Sequence, residues 1–450
     1  MLFARKVVFP LQEFVKGKNT LARTRHLERT QWLSRARLRE LQFDRLKEHL
    51  EFAYGHVPYY RHLFDEYDAQ PHRIQTLDDF QKIPYLTRDT LRREFDSLRA
   101  NISMRGKHKI STGGSSGSPV AILADPKRNS FIDAARLRAH RWFQADIGER
   151  EIVVWGSPIE ITRQDYIRNI RDRFLNSRLL SAFNLGETNL AAYAEEIIRF
   201  KPVKMYGYAS ALYVLAQYFR RSKRRPPNCL KVVFATAEPL FEFQRRTIEE
   251  VFETKVAVEY VARDAGLMAN ECPDGGLHIP LEGMLIELDT VSGMSGEVVV
   301  TNLDSMAMPI VRYRTGDVAV WQNEVCHCGR GLPLLKSIEG RQTDFLLTPD
   351  GRLIHALAVI YVLREVPEIE QFQVLQDSLR NISVKIVPYR EFGPRVEQTI
   401  VQRLKAILGS EMVIEITVYP VIDTSASGKF RYVLSNVARS YFENALESSS

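Results

Sequence analysis

The side chains with the most legible chemistry are clustered in one short stretch, Ser111-Thr112-Gly113-Gly114-Ser115-Ser116-Gly117-Ser118-Pro119. Three glycines let the backbone curl until successive N–H groups converge, and the hydroxyls add donors, which is what cradling phosphate oxygens requires. A flexible Gly/Ser linker is the alternative reading. The apolar run Val120-Ala121-Ile122-Leu123 that follows argues for a loop stitched into a folded core. The Gly-Lys-Ser/Thr ending of an NTPase P-loop is missing, so that fold is disfavoured.

Four further groups have types suited to a nucleotide or metal site. Thr236-Ala237-Glu238-Pro239 follows an apolar run, Leu230 to Ala235. Tyr260-Val261-Ala262-Arg263-Asp264 joins an aromatic ring, a cation and a carboxylate, and Tyr313-Arg314-Thr315-Gly316-Asp317 repeats that mixture. Near the end, Gly428-Lys429 lies in a run of small residues that presents a mobile cation. Taken singly, each has a plain structural reading: Asp317 as a turn carboxylate, Glu238 as an acid at a helix N-terminus, Lys429 as a solvated charge. Cys272, His278, Cys326 and Cys328 form a possible Cys₃His zinc site, although the C-x-C pair is tighter than the usual C-x₂-C. Buried free thiols are the alternative.

These groups need elements to position them. Leu38, Leu41, Leu46, Leu50 and Ala53 recur at helical spacing in a stretch that Val57-Pro58 interrupts, and Thr87 has the character of an N-cap. From about residue 127 the rhythm is helix, apolar strand, glycine turn and helix again: helix to Phe143, strand Glu151 to Trp155, helix Ala191 to Phe200, strand Val203 to Tyr206, helix Ala211 to Phe219, strand Leu230 to Ala235, helix Phe241 to Phe252 and strand Val256 to Val261. That is α/β, and ligands in such sheets sit beyond the carboxyl ends of the strands, where 236–239 and 260–264 fall. Met284 to Leu288, Glu297 to Thr301 and Ile310 to Arg314 then read as strands of a β-subdomain, with turns expected at Ser292-Gly293 and Thr315-Gly316-Asp317. Beyond 340 come a hairpin around Pro349-Asp350-Gly351, helices 356–365 and 396–408, and strands 372–375, 382–387 and 413–418, a small α+β unit. The expected division is 1–340 and 341–450.

The 450 residues carry 62 Lys+Arg against 55 Asp+Glu, a net +7 that suits anionic ligands without indicating nucleic acid. The first fifty residues hold 12 Lys or Arg and 5 Asp or Glu, which allows contact with an acidic partner or a membrane surface, with a solvated helix face as the plainer reading. No apolar run approaches the roughly twenty residues a bilayer span needs. Four cysteines do not make a disulfide scaffold, and a cytoplasmic protein is expected.

In this order, the segments 111–119, 237–239, 260–264, 313–317, Gly340-Arg341 and Gly428-Lys429 resemble the adenylate-forming superfamily. The phenylacetate-CoA ligase and capsular-polysaccharide (CapK-type) branch is the nearest, and Cys326-His327-Cys328-Gly329-Arg330 looks like that branch in particular. The resemblance covers about residues 40 to 435. It implies a large α/β domain with a β-subdomain and a small mobile α+β C-terminal domain. The implied activity is AMP-forming carboxylate ligation: ATP and a small carboxylic acid give an acyl-adenylate, and the acyl group passes to coenzyme A. An amine or hydroxyl acceptor, as in polysaccharide biosynthesis, or a nucleotide-binding protein without catalysis, are the alternatives.

Residue by residue, the resemblance implies that Ser111, Thr112, Gly113, Gly114, Ser115, Ser116 and Gly117 hold the β- and γ-phosphates. Ala237, Glu238 and Pro239 would line the adenine pocket, Tyr260 would stack on the base, and Asp264, in place of the family's Glu, would help place Mg²⁺. Asp317 would accept from the ribose hydroxyls and Lys429 would reach the α-phosphate and carboxylate. The acid pocket is expected around Trp155-Gly156-Ser157 and 206–209. The chain departs from the pattern at Val261, where the family has Gly, and at Thr343, where an acid usually marks the hinge of the small domain.

Overall fold

In a computed structural model of the chain, the described residues are 3–111, 120–155, 172–182, 185–238, 240–290, 294–339, 345–388, 390–420, 422 and 432–437. The loop residues 112–119, Pro239, 340–344 and Lys429 lie outside them, as do Gly156, Ser157 and the expected turn at 292–293.

The strands are β1 (His108–Ser111), β2 (Ala121–Ala124), β3 (Glu151–Trp155), β4 (Ser177–Ser181), β5 (Lys204–Tyr208), β6 (Val232–Thr236), β7 (Val256–Ala262), β8 (Gly266–Glu271), β9 (Leu277–His278), β10 (Met284–Asp289), β11 (Ser295–Asn302), β12 (Ile310–Gln322) and β13 (Leu334–Glu339). Eleven of them form one sheet in the order β10-β11-β12-β13-β9-β8-β7-β6-β5-β3-β4. Its β4-β3-β5-β6-β7 part is parallel, and every pairing from β7 to β10 is antiparallel. The β-rich part is thus hydrogen-bonded continuously to the α/β part.

The physical reason for the parallel half is visible in burial. All five residues of β6 are buried, as befits a strand covered on both faces. Helices Glu187–Phe200, Ala209–Arg221 and Glu242–Phe252 share a core with the strands on one side, including Ile152, Met205, Val233, Ile248 and Phe252. Helix Pro126–Trp142 covers the other, with His140 stacked on Phe234 at a centroid distance of 4.0 Å. Asp125 caps that helix, accepting from the Lys127 and Arg128 amides through one carboxylate oxygen, while the other accepts from the Met306 and Ala307 amides. One residue therefore starts the helix and fixes it to the turn after β11.

The expected helix before Val57-Pro58 is Arg35–His56, capped by Ser34, and Pro58 opens the next helix at its first turn. Thr87 caps Arg88–Arg93 as its type suggested. One expectation is corrected. Thr315-Gly316-Asp317 does not reverse the chain: β12 continues to Gln322, and the register passes from Val299↔Arg314 to Glu297↔Val318, so 315–317 bulge opposite Val298. Gly316, at φ +80°, supplies the left-handed position this requires. In addition, β4, β8, β9 and β13 have no counterpart in the sequence reading; β9 has only two residues and β4 has an exposed face.

Past residue 344 come β14 (Phe345–Leu347), β15 (Leu353–His355), helix Ala356–Arg364, β16 (Ile369–Gln376), β17 (Asn381–Pro388), helix Pro394–Leu408, β18 (Val413–Val418) and β19 (Val433–Ser435). Four strands pair in the order β18-β17-β16-β19 around a separate core that includes Phe372, Val384, Ile400 and Leu404.

Candidate active site

The carboxyl ends of β3, β5, β6 and β7 meet along one edge of the sheet, with Val154 paired to Gly207, Tyr208 to Thr236 and Thr236 to Glu259. Trp155 and Tyr208 stack there at 4.1 Å between ring centroids and 14° between planes. Gly207 is required by contact: a Cβ there would meet the Val154 carbonyl oxygen at 2.6 Å. At the end of β6, Ala237 has φ +66°, a left-handed conformation costing an alanine roughly 1 kcal/mol or more. The strain turns the chain sharply, and Glu238 Oε2 then accepts from the Ser210 amide at 3.1 Å, at the start of the neighbouring helix Ala209–Arg221. Glu238 is thus an acid at a helix N-terminus, but not of the helix that follows it in sequence.

Tyr260 and Asp264 are four residues apart, as are Tyr313 and Asp317. The two segments are cross-linked. Tyr260 Oη donates to Asp317 Oδ2 at 2.9 Å, and Tyr313 Oη donates to Asp264 Oδ2 at 2.6 Å. The bulge aims Asp317: its amide donates to Thr315 Oγ1, which donates to the Val298 carbonyl, and the Gly316 amide donates to Glu297. The two carboxylates differ in access. Asp264 is buried at 4 % exposure, whereas Asp317 is half-buried at the rim. Burial, followed by the Asp264 charge, pushes the Tyr313 hydroxyl well above its ordinary range, so it remains a donor.

Arginines that the sequence reading passed over support this edge. Arg88 Nη2 donates to the Thr315 carbonyl at 2.7 Å, and its Nε approaches Tyr313 Oη at 3.4 Å. Leu86 pairs with Tyr313, so the 84–88 strap lies along β12. The buried Arg128 donates to the Arg263 carbonyl at 2.6 Å; burial lowers its pKa to about 10, leaving it a cation. Arg263 in turn donates to the Ser111 carbonyl at 3.3 Å. Ser111 pairs with Ala121 across β1 and β2. Beneath the edge, Arg136 grips both oxygens of buried Glu259, and Tyr206 Oη donates to the same carboxylate at 2.7 Å. Burial works against the Arg136 cation, but Glu259 holds it well above its ordinary range. Sequence offers a signal only for Arg88, beside a cap residue; Arg128 and Arg136 lie among ordinary helix residues.

Cys272, His278, Cys326 and Cys328 also come together, with one potential ligand atom from each lying within 4.8 Å of the others. They are at the opposite end of the sheet, because β8 starts beside Ala262 and runs back along β7 to Glu271.

Comparison with known proteins agrees with this architecture. Residues 346–436 match the CapK C-terminal domain family. Over 413 residues the chain is 23 % identical to Protein CapK of Staphylococcus aureus, covering 88 % of this chain and 89 % of the relative. It is 26 % identical over 393 residues to a phenylacetate-coenzyme A ligase of Thermus thermophilus, covering 81 % and 85 %. A crystal structure of 2-hydroxyisobutyryl-CoA ligase in complex with 2-HIB-AMP and CoA superposes with a TM-score of 0.63 at 19 % identity, covering 93 % of this chain and 94 % of that one. The fold is that of the adenylate-forming ligases. In sequence the chain is similar to proteins of the phenylacetate-CoA ligase and CapK branch.

Proposed function

We propose that this protein is an AMP-forming carboxylate ligase that activates a small carboxylic acid with ATP and passes the acyl group to coenzyme A. The observation that carries the reading is the crossed Tyr260–Asp317 and Tyr313–Asp264 pair at the carboxyl edge of the parallel strands. The names of the relatives support the reaction type.

Bound ATP supplies an electrophilic α-phosphorus. The protein's task is to bring a second anion to it, which requires charge neutralisation and alignment. The half-buried Asp317 suits the ribose: it is a reachable acceptor, prepositioned by the bulge and by Tyr260. Tyr260 is assigned to stacking on the base; it is 9 % exposed, and its hydroxyl bond to Asp317 fixes the orientation of the ring. Ala237 and Glu238 form the adjoining wall, with Pro239 next in sequence. Ser111 to Gly117 is assigned to the terminal phosphates and Lys429 to the α-phosphate and carboxylate. Asp264 is assigned to Mg²⁺, for which its Oδ1, accepting from the Ala265 amide at 3.2 Å, is the oxygen not bound to Tyr313. The Trp155–Tyr208 stack is assigned to one wall of the acid pocket. Residues 1–340 and 341–450 would act as two bodies, with Lys429 delivered by the second.

A pyrophosphate-release screen over carboxylic acids, with and without coenzyme A, tests the reading. Release dependent on an acid, with a thioester when coenzyme A is present, is expected. Lys429→Ala should abolish release and retain ATP binding. No release with any acid would favour a nucleotide-binding protein without catalysis. The match of residues 346–436 to CapK favours one second reading, transfer to an amine or hydroxyl; exchange without a coenzyme A product would select it.

A further inference from the structure

We infer that Cys272, His278, Cys326 and Cys328 hold a structural zinc ion that fastens the β12–β13 connection to the β8–β9 turn. Tetrahedral zinc with Zn–S near 2.3 Å and Zn–N near 2.05 Å spaces its ligands about 3.8 Å apart for two sulfurs and about 3.6 Å for sulfur and nitrogen. Cys272 Sγ lies 3.6 Å from Cys326 Sγ, and Cys328 Sγ lies 3.2 Å from His278 Nε2. No disulfide joins them.

Three surrounding features are oriented for a cation. His278 directs Nδ1 at the Leu332 carbonyl at 3.3 Å, which places the proton there and leaves the Nε2 lone pair facing the sulfurs. Cys272 and Cys326 each open a tight turn closed by a left-handed glycine: the Gly275 amide donates to the Cys272 carbonyl at 2.9 Å and the Gly329 amide to the Cys326 carbonyl at 3.2 Å. Gly276 closes over the cluster, since a Cβ there would meet Cys326 Sγ at 2.6 Å.

Four protein ligands leave no open position, and the cluster is at the far end of the sheet from the strand ends, so the role is structural. It secures a loop whose next residues are already committed. Arg330 lies between Trp32 and Trp142, and the Gly331 amide donates to the Gln31 carbonyl at 3.0 Å.

Metal analysis of the full-length protein, purified without chelator, should find about one zinc per chain, and a cobalt-substituted sample should show thiolate-to-cobalt charge transfer with tetrahedral d–d bands. In the native protein a thiol reagent should reach Cys229 and spare the other three until denaturant and chelator are added. Under about a tenth of an equivalent of zinc, with all four thiols reacting freely in the native protein, would overturn the inference. Cys326→Ser should lower both the zinc content and the melting temperature; if it does not fold, the thiol titration of the unaltered protein still decides.

A different observation carries a second proposal: that the first helical stretch docks on an anionic lipid surface. Phe3, Val7, Leu11 and Phe14 recur every three or four positions, with Val15 beside Phe14, and the five are 60, 48, 61, 84 and 72 % exposed in chain order. The occupant is argued from charge. Residues 3–18 carry Arg5, Lys6, Lys16 and Lys18 against the buried Glu13, and Lys6 and Lys16 are exposed beside the apolar residues. Arg5 is tied to Asp146 at 3.0 Å, which fixes this stretch to the body. The full chain should sediment with vesicles of phosphatidylcholine and phosphatidylglycerol and much less with phosphatidylcholine alone. Leu11→Glu with Phe14→Glu should cut that binding by roughly tenfold or more. Equal binding by that double variant, no binding to either vesicle, or a dimer in solution that the double variant disperses, would overturn it.

Discussion

The segments Tyr260 to Asp264 and Tyr313 to Asp317 have the same spacing and exchange hydrogen bonds, but they occupy different surroundings. The first has its carboxylate in the core, where Asp264 meets Tyr313 and Arg88 lies alongside. The second lifts its carboxylate to the rim on a three-residue bulge. The difference teaches that one pattern can supply both a support and a contact. A buried carboxylate acts by holding its partners in place, while an exposed one can bind a ligand at little cost to stability.

Asp317→Ala should break the comparison most visibly. Pyrophosphate exchange is expected to fall by about 100-fold or more, through loss of charged hydrogen bonds to the ligand, with the melting temperature little changed. Asp264→Ala should do the reverse in stability. It removes the acceptor of the Tyr313 hydroxyl proton together with the oxygen assigned to Mg²⁺, so exchange should also fall and denaturant unfolding should show a loss of about 2–4 kcal/mol. Tyr313→Phe should lose less, about 1–2 kcal/mol, because the apolar ring stays in place. Tyr260→Phe should leave stability within about 1 kcal/mol and raise the KM for ATP, since Asp317 loses its tether.

The smallest effect concerns pH and serves as a background for these assays. His49 is buried with no hydrogen-bond partner at either ring nitrogen among the described residues, and burial, followed by the Lys127 charge, lowers its pKa to about 3. The unfolded chain takes up a proton near pH 6.5 and the folded one does not until about 3, so stability present above 6.5 is lost as pH falls across that window. His49→Leu should flatten that slope in denaturant titrations at pH 7 and pH 5. An unchanged slope would assign the loss to other groups, such as His140, whose pKa burial and Lys204 also depress.

Much of this architecture was legible in the sequence because burial and period coincide. The fully buried β6, apolar from Val232 to Ala235, and the hairpin at Pro349-Asp350-Gly351 carry their own signals. The bulge at 315–317 was not legible: Thr-Gly-Asp is equally good turn chemistry, and only pairing with β11 and β13 on either side shows that the strand continues. The crossing of the two Tyr-Asp pairs was hidden for the same reason, being a property of the sheet that brings residues 260 and 317 together. Glu238 was recognisable as an acid for a helix start, but which helix it serves depends on the turn that Ala237 makes. The Cys₃His set could be named from residue types alone, and its convergence depended on β8, β9 and β13, which are short or weakly patterned.

The central claim is that the rim carboxylate Asp317 contacts the nucleotide, while the buried Asp264, assigned to Mg²⁺, is also bonded into the site through Tyr313. Calorimetric titration of Mg-ATP into the unaltered protein and into Asp317→Ala, with melting temperatures recorded on the same samples, tests it most directly. The account predicts affinity at least about tenfold weaker for Asp317→Ala at an unchanged melting temperature. Equal affinity in the two proteins would contradict it.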